Sequence, residues 1–380
     1  MQSALIYILI ACIVIIVFVK YILPQRSNFT MAPIAGNVTT YATNMSAPGT
    51  RLGSYIQSTI LNSPLYIWGG IGGQERLDNI FVGDSAVGDL DTTGTSPGVI
   101  RFPSNSIYAG GPGAGYVIGS TFVPAVGSNF LDAPNGYQLN SSTSIMLNGS
   151  TVFQINNQSP NNDIKILAGS LNTQGYVDGS PQVVRFGSLN GITVASGGSS
   201  SLVCDTSNHC IRKVQSNGKT TTFAGIGKSA GYVDGPGNIA KFNTPSSIAM
   251  DSFGNYYVAD TGNNRIRKIT SAGVVTTFAG SGGSGATDGP AMQATFSFPI
   301  SITIDSSGNL YVCQHNVIRK ITPGGIVSTL VGVSGVTGYV DGPASQAKFG
   351  DIGSIRWIYN NGNPCIIVAD TQNMSIRIIR

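Results

Sequence analysis

Residues 242–280 read FNTPSSIAMDSFGNYYVADTGNNRIRKITSAGVVTTFAG and contain the clearest structural unit of the chain. The unit holds four short apolar runs, SSIAM, YYVAD, RIRKI and VVTTFAG, separated by turn-forming Asp, Asn, Ser and Gly residues. A strand with one buried face alternates apolar and polar residues, as RIRKI does. The stretch therefore predicts a sheet of four short strands joined by tight turns.

The same unit recurs through the second half of the sequence. Copies begin at Leu167, Phe223, Phe278 and Leu330, so successive offsets are 56, 55 and 52 residues. Each copy has an Asp-Gly pair, and a phenylalanine follows that aspartate eight residues later. Because one four-stranded sheet cannot bury both of its faces, repeated sheets are expected to stack radially around an axis. The repeat predicts an all-β propeller.

The unit also carries a family resemblance. Residues 242–280, and most specifically VADTGNNRIRKI at 258–269, resemble the NHL repeat of many bacterial and viral multi-repeat proteins. The resemblance covers 167–380 and implies a β-propeller fold. Closed propellers of this family usually have five or six blades, more than the four clear repeats supply.

Weaker copies of the unit precede the clear ones. YAG at 108–110 resembles the FAG tag, and IFVGDS at 80–85 resembles YVADT. They predict two degenerate blades within 51–166, which with the four repeats of 167–380 make a six-bladed propeller. The last repeat ends at SIRIIR without a fourth strand, and an unpaired edge is a liability. We expect YIQSTIL at 55–61 to supply that strand.

The N-terminus is strongly apolar. Residues 4–23 read ALIYILIACIVIIVFVKYIL, and Lys20 is their single charge. A helix of this length extends about 30 Å, the thickness of a bilayer core. The pattern predicts a single transmembrane α-helix in 1–24, a flexible stalk over 25–50 and the propeller over 51–380. The membrane is therefore one expected partner.

The side of the membrane on which the propeller lies stays open. Lys20 and Arg26 follow the helix, and the positive-inside rule then favours the cytoplasm. Seven N-x-S/T sequons favour the opposite side, although the high Asn, Ser and Thr content alone predicts about five or six of them. We expect a single-pass membrane protein with a slight preference for an extracytoplasmic or virion-associated propeller.

Aspartate and arginine recur seven residues apart in three of the clear repeats. This spacing is typical of a structural ion pair or hydrogen-bond clamp that ties two strands. The Asp-Gly aspartates, from Asp178 to Asp341, are expected to cap turns. The Arg-Lys pairs, such as Arg267 with Lys268, are interpreted as solvated strand edges, because neighbouring strand residues point to opposite faces. The structural candidates are Asp205, Arg212, Asp260, Arg267, Asp370 and Arg377.

Asp251, Asp305 and Asn140 end the predicted innermost strands and are weak metal candidates. The resemblance implies this possibility, since six-bladed relatives such as gluconolactonases and amidating lyases bind metal in the central channel. The matching positions of other blades hold Ala195 and Ile358, and D-S-x-G-N is typical of a hairpin turn. We therefore favour turns and expect no cofactor.

The remaining chemistry-bearing side chains form no catalytic pattern. His209 and His315, the two histidines, fall in strand-to-strand turns of different blades, which disfavours a catalytic triad or zinc site. Four cysteines follow the N-terminal segment without metal-finger spacing. They are interpreted as small buried thiols, although Cys204 and Cys210 could form a disulfide if their strands pair.

These observations favour a membrane-anchored propeller that is not an enzyme. It would serve as a binding or structural scaffold for a protein or glycan partner, at a cell or virion surface. Two alternatives are a metal-dependent propeller enzyme of the lactonase or lyase type, and an RNA-binding NHL domain. Nucleic acid is not expected, because the net charge is only +4 and stacking aromatics do not alternate with the basic pairs.

Overall fold

The computed structural model describes the chain in segments, all of them within the compact unit Ile34–Arg380. The described residues are 36–43, 64–69, 80–84, 98–102, 108–110, 115–118, 121–124, 135–140, 143–156, 164–170, 173–195, 199–360, 363–373 and 375–380. Nearly all regular structure in these segments is β, with short 3₁₀ turns at Thr206–Asn208 and Thr261–Asn263. No helix within these ranges is long and apolar enough to cross a membrane.

The first strands pair antiparallel, mostly with their neighbours in sequence. Their bounds are β1 Val38–Thr43, β2 Pro64–Gly69, β3 Ile80–Asp84, β4 Gly98–Phe102, β5 Tyr108–Gly110, β6 Gly115–Ile118, β7 Thr121–Pro124, β8 Asn135–Asn140, β9 Thr143–Asn148, β10 Thr151–Asn156 and β11 Ile164–Gly169. One sheet holds β2 to β5, another holds β8 to β11, and β6 pairs with β7.

The later strands repeat one four-stranded plan. Their bounds are β12 Leu189–Val194, β13 Ser200–Asp205, β14 Cys210–Gln215, β15 Thr220–Ala224, β16 Gly235–Pro236, β17 Pro245–Met250, β18 Tyr256–Asp260, β19 Arg265–Ile269, β20 Val274–Ala279, β21 Gly289–Pro290, β22 Ser301–Ile304, β23 Leu310–Gln314, β24 Val317–Ile321, β25 Ile326–Val331, β26 Ile352–Asn360, β27 Asn363–Asp370 and β28 Ser375–Ile379. The sheets are β12 to β15, β17 to β20 edged by β16, β22 to β25 edged by β21, and β26 to β28 with β1.

The core lies between successive sheets, as radial stacking requires. One apolar cluster joins Leu202 and Ile211 of one sheet to Ile248 and Val258 of the next. Equivalent clusters join the other neighbouring pairs from β8 to β28. The phenylalanine of each Asp-Gly unit is fully buried in these layers, as Phe242 shows. The chain is thus an all-β propeller, and its four clear repeats supply four of its blades.

The last sheet is closed by β1, which corrects the expectation that residues 55–61 supply its missing strand. Val38 lies opposite Ile379, and the pairing continues to Thr43 opposite Ser375. The backbone N–H of Asn37 donates to the Arg380 carbonyl at 3.1 Å, and the Arg380 N–H donates back at 2.9 Å. This strand comes from the region 25–50, expected to be a stalk, because VTTYAT has the alternation and β-branched residues that an edge strand needs. Residues 1–35 and 44–50 of the expected anchor and stalk, and the segment 55–61, lie outside the described residues.

Candidate functional site

Each clear blade contains an arginine whose side chain has no solvent exposure: Arg212, Arg267, Arg319 and Arg377. Arg212 Nη1 lies 2.8 Å from Asp205 Oδ2, and its Nη2 lies 2.6 Å from Asp178 Oδ1. Arg377 bridges Asp370 and Asp341 at the same two distances. The expectation of solvated strand edges is therefore wrong for the arginines of the Arg-Lys pairs. A strand side chain that points between two blades is buried, even where its neighbour reaches solvent.

The same arginines tie the long loop between blades to the sheet. Arg212 also donates to the carbonyls of Val177 and Arg185, and its guanidinium carbon lies 5.0 Å from the Phe186 ring centroid. Asp178 accepts a further bond from the Thr222 backbone N–H of the outer strand. The Asp-Gly aspartate is thus one end of an Asp–Arg–Asp clamp, which joins two motifs that sequence reasoning treated separately.

The inner aspartate of the clamp is satisfied by several donors. Asp205 accepts from Asn208, Arg212 and the Gly187 backbone N–H, at 2.8 to 2.9 Å. Burial is the largest influence and raises the pKa of Asp205, while the bonds from Asn208 and Arg212 lower it. In the third clear blade Gln314 takes this place, accepting from the Ser297 N–H and donating to the Gly285 carbonyl. Arg319 there pairs with Asp288 at 2.7 Å.

Asp251 and Asp305, the acidic metal candidates, accept hydrogen bonds from their own hairpins. Asp251 Oδ1 accepts from the backbone N–H groups of Phe253 and Asn255, and Oδ2 accepts from the Asn255 amide and the Tyr257 hydroxyl. Asp305 repeats this pattern with the matching residues of the next blade. Burial and Asp251 together raise the pKa of Tyr257 to about 12. The turn geometry that the D-S-x-G-N pattern predicts is therefore present in both blades.

The other candidates do not gather into one site. Asn140 ends β8, and nothing in the described segments groups three or more His, Cys, Asp or Glu residues around a possible metal position. His209 Nδ1 accepts the Thr244 backbone N–H at 3.0 Å, in a contact between neighbouring blades. Cys204 and Cys210 are free and fully buried, and burial raises the pKa of both thiols.

A pocket of about 800 Å³ opens where the inner strands end. The pocket is lined by residues of β12, β17, β22 and β26, which are the inner strands of four sheets, so it lies at the inner edge of these blades. Aromatic rings, hydroxyls and two cations face it alongside the two turn aspartates. The lining residues on which the argument depends are Phe253, Tyr257, Trp357, Lys268, Arg356 and Ser307. Its volume suits a small polar ligand.

Phe253 is the most unusual member of that lining. Its side chain is 87% exposed, at the tip of the β17–β18 turn, where the next blade has Ser307. Lys268 Nζ lies 5.7 Å from the Tyr257 ring centroid on the same side of the blade. Sequence reasoning missed the pocket because its residues come from four blades. The replacement of Ser by Phe within the repeated turn was the available signal.

Strand registers identify the side of the propeller on which the pocket lies. Met250 pairs with Tyr256, which pairs with Ile269, and Ile269 pairs with Val275 near the start of β20. In the last sheet the matching row contains Trp357, Ile366, Ile379 and Val38. Because Met250 and Trp357 both line the pocket, these rows mark one common face, which we call the pocket face.

Comparisons with known proteins agree with this architecture. The NHL repeat profile matches residues 242–269, whereas no curated protein sequence is significantly similar. An auxiliary nutrient binding protein from Bacteroides thetaiotaomicron VPI-5482 superimposes with a TM-score of 0.61 at 15% identity, covering 90% of this chain and 76% of that one. A streptogramin B lyase gives 0.50 at 11% identity, with 92% and 99% covered.

A third similar structure is provisionally described as a gluconolactonase, with a TM-score of 0.51, 10% identity and coverage of 92% and 93%. At such identities these similarities establish the fold alone. The profile match falls within the clearest repeat unit of the sequence, from Phe242 to the end of β19. The chain is a β-propeller protein that carries an NHL repeat.

Proposed function

We propose that this protein is a non-catalytic binding module that holds a polar, sugar-like ligand in the pocket. The observation that carries the proposal is the chemistry of the lining. Exposed Phe253 offers a stacking surface, while Lys268, Ser307 and Thr303 offer hydrogen-bonding groups around it. Asp251 and Asp305, the acids of the lining, already accept four hydrogen bonds each from their own turns.

The propeller is proposed to be a closed ring of six blades. Contacts between innermost strands support this, because β26 touches β2, β2 touches β8, and β8 touches β12. The series continues from β12 to β17, from β17 to β22, and from β22 back to β26. Such a ring leaves no sheet without a neighbour on either face.

The protein is further proposed to work at a membrane, anchored through residues 4–23. Support comes from the 20-residue apolar run in the sequence, which has the length that a bilayer core requires. The binding of nutrients named for the Bacteroides protein is compatible with a pocket of this kind. A glycan is the ligand we favour over a protein, since the pocket is concave and small.

The experiment uses Trp357 as an internal reporter. The chain has two tryptophans, so a Trp68→Phe background isolates the emission of Trp357 in the pocket lining. Chitotriose, maltotriose and sialyllactose are titrated, and at least one is expected to change that emission saturably. Phe253→Ser, which installs the residue of the next blade, should weaken the response, whereas Phe298→Ser should leave it unchanged.

Absence of any response to all three sugars would contradict the sugar-binding proposal. If Phe253→Ser leaves the sugar-dependent change of emission intact, the sugar does not bind in the pocket. Chemical conversion of the bound sugar or of an added sugar lactone, followed by mass spectrometry, would instead favour the lactonase or lyase alternative. Salt-sensitive retention of RNA would favour the RNA-binding alternative.

A further inference from the structure

Six of the fifteen large apolar side chains that are exposed among the described residues lie on the pocket face. Pro236 pairs with Val274 and Pro290 pairs with Ile326, so the Asp-Gly loops reach the start of β20 and β25 on this face. A single turn follows each of these loops and presents an apolar residue to solvent. The exposed set on this face is Phe253 87%, Met292 57%, Val183 53%, Ile239 53%, Ile326 52% and Val274 40%.

Single exposed apolar residues are ordinary on protein surfaces, but apart from Phe253 these lie either in the turn after the Asp-Gly loop or at the start of the fourth strand of successive blades. Ile239 and Val274 flank the same Asp-Gly loop, and Met292 and Ile326 flank the next one. Together with Phe253 of the pocket lining, they form an apolar rim around the pocket. This distribution is typical of surfaces that meet a partner with an apolar layer and polar headgroups.

The chain enters the propeller at the same face. Val38 belongs to the register row that contains Trp357, and the backbone of Asn37 pairs with Arg380 at the end of that row. Residues 24–35 connect this point to the apolar segment 4–23. Twelve residues span at most about 40 Å. The chain that leads from the apolar segment therefore enters the propeller at the pocket face.

The blade where the chain enters differs from the others at the rim. Its Asp-Gly loop is followed by Ser345 and Gln346, which are exposed polar residues. There Gly36 lies against Ala344, so closely that a Cβ atom at Gly36 would come within 2.8 Å of the Ala344 Cβ. The rim is thus apolar on three successive blades, while the entering chain covers part of the fourth.

We propose that the pocket face docks on a lipid bilayer. The rim side chains enter the interfacial region, and the pocket opens toward the headgroups, so that its ligand is the sugar headgroup of a membrane lipid. The identity of the ligand rests on the proposed function, whereas the docking itself does not. A bilayer is favoured as the occupant because this face carries both the apolar rim and the entry of a chain with a 20-residue apolar segment.

The test places an environment-sensitive NBD label on single cysteines of the full-length protein, reconstituted in phosphatidylcholine vesicles. Cys12→Ala removes the thiol of the N-terminal segment, and the four remaining cysteines are buried. Met292→Cys and Ile239→Cys report on the rim. Phe298→Cys is the matched control, because Phe298 is also 53% exposed but precedes β22 at the opposite face.

Docking predicts blue-shifted NBD emission at positions 292 and 239, with quenching by doxyl-labelled lipids, and neither effect at 298. Unshifted emission at both rim positions would overturn the proposal. Equal quenching at 298, or failure of the protein to float with the vesicles, would also overturn it. The sugar titration of Trp357 in detergent is independent of these results, so failure of the docking and failure of the proposed function are distinguishable.

Discussion

Arg267 has no solvent exposure, and its guanidinium lies between Asp260 and Asp234. Burying charges is costly unless they are paired, and one arginine here neutralises a fully buried aspartate and reaches a half-exposed one. Its Nη atoms also donate to the carbonyls of Lys241 and Val233, whereas its buried Nε has no hydrogen-bond partner. The arginine therefore holds the inter-blade loop and the sheet in one geometry.

Replacing Arg267 by Met should be strongly destabilising. The substitution leaves Asp260 buried and unpaired, which costs about 3–5 kcal/mol of unfolding free energy. Arg319→Met should cost less, because the neutral Gln314 stands at the position where the other clear blades have the buried aspartate. Urea unfolding of both variants measures the difference, with Lys268→Met as the control. Equal losses for Arg267→Met and Arg319→Met would contradict the role assigned to the buried aspartate.

His209 links two blades through a bond that depends on its protonation. Its Nδ1 accepts the Thr244 backbone N–H, so that nitrogen carries no proton when the bond exists. Burial lowers the pKa of His209 below its usual 6.5. The unfolded chain then binds a proton more readily than the folded one. The stabilising contribution is fully present above pH 6.5 and is lost as the pH falls through the folded pKa.

The chain itself contains the control for this titration. In the next blade Asn264 Oδ1 accepts the Phe298 backbone N–H at 2.9 Å, in the same structural position. His209→Asn should keep the bond and remove its pH dependence. The midpoint temperature of thermal unfolding should therefore fall less for the variant than for the parent between about pH 7.5 and 5. An unchanged pH profile in His209→Asn would show that another group causes the loss.

At the scale of elements, β1 replaces the fourth strand that the last repeat lacks. Val38 is 1% exposed and packs in the cluster that contains Ile379 and Trp357, whereas neighbouring Asn37 is exposed. Val38→Asp should lower the unfolding free energy by several kcal/mol, since it buries an unpaired charge. Asn37→Asp adds the same carboxylate in solvent and should be nearly neutral. Similar urea midpoints for both variants would contradict closure through β1.

The elements of the clear repeats could be predicted from sequence, while the closure could not. Strand patterns such as RIRKI, and the turn that contains Asp251, depend on neighbouring residues, so their local signal is strong. The fourth strand of the last blade depends on a pairing between Val38 and Ile379, which lie far apart in sequence. Both 38–43 and 55–61 are short and rich in β-branched residues, and nothing local distinguishes them.

The pocket could not be predicted from the sequence for a similar reason. Its lining comes from inner strands and turns of several blades, and each contributing residue fits a plain structural role in its own repeat. The Asp–Arg spacing of seven residues predicts the clamp, and the Nη1–Oδ2 distances of 2.8 Å agree with it. The second carboxylate of each clamp lies more than thirty residues away, as Asp178 does from Arg212, and so carried no local signal.

At the scale of the whole molecule, β1 joins the chain end Arg380 to the beginning of the propeller. A chain that begins at Ile34 retains Gly36, Asn37 and the whole of β1, and it matches the compact unit Ile34–Arg380. A chain that begins at residue 44 lacks the strand and exposes the edge of β28. Because neighbouring blades share apolar clusters, loss at this edge should reduce the cooperativity of unfolding of the propeller.

We therefore expect the chain 34–380 to fold and to unfold in one cooperative transition, whereas 44–380 should unfold at lower temperature over a broader range. Differential scanning calorimetry measures both quantities, and far-ultraviolet circular dichroism checks that both chains retain β structure. Adding a synthetic peptide of residues 34–43 to 44–380 should restore part of the lost stability, because the open edge offers the pairing that β1 makes with β28. Identical transitions for the two chains would mean that the stability of the propeller does not depend on the pairing of β1 with β28.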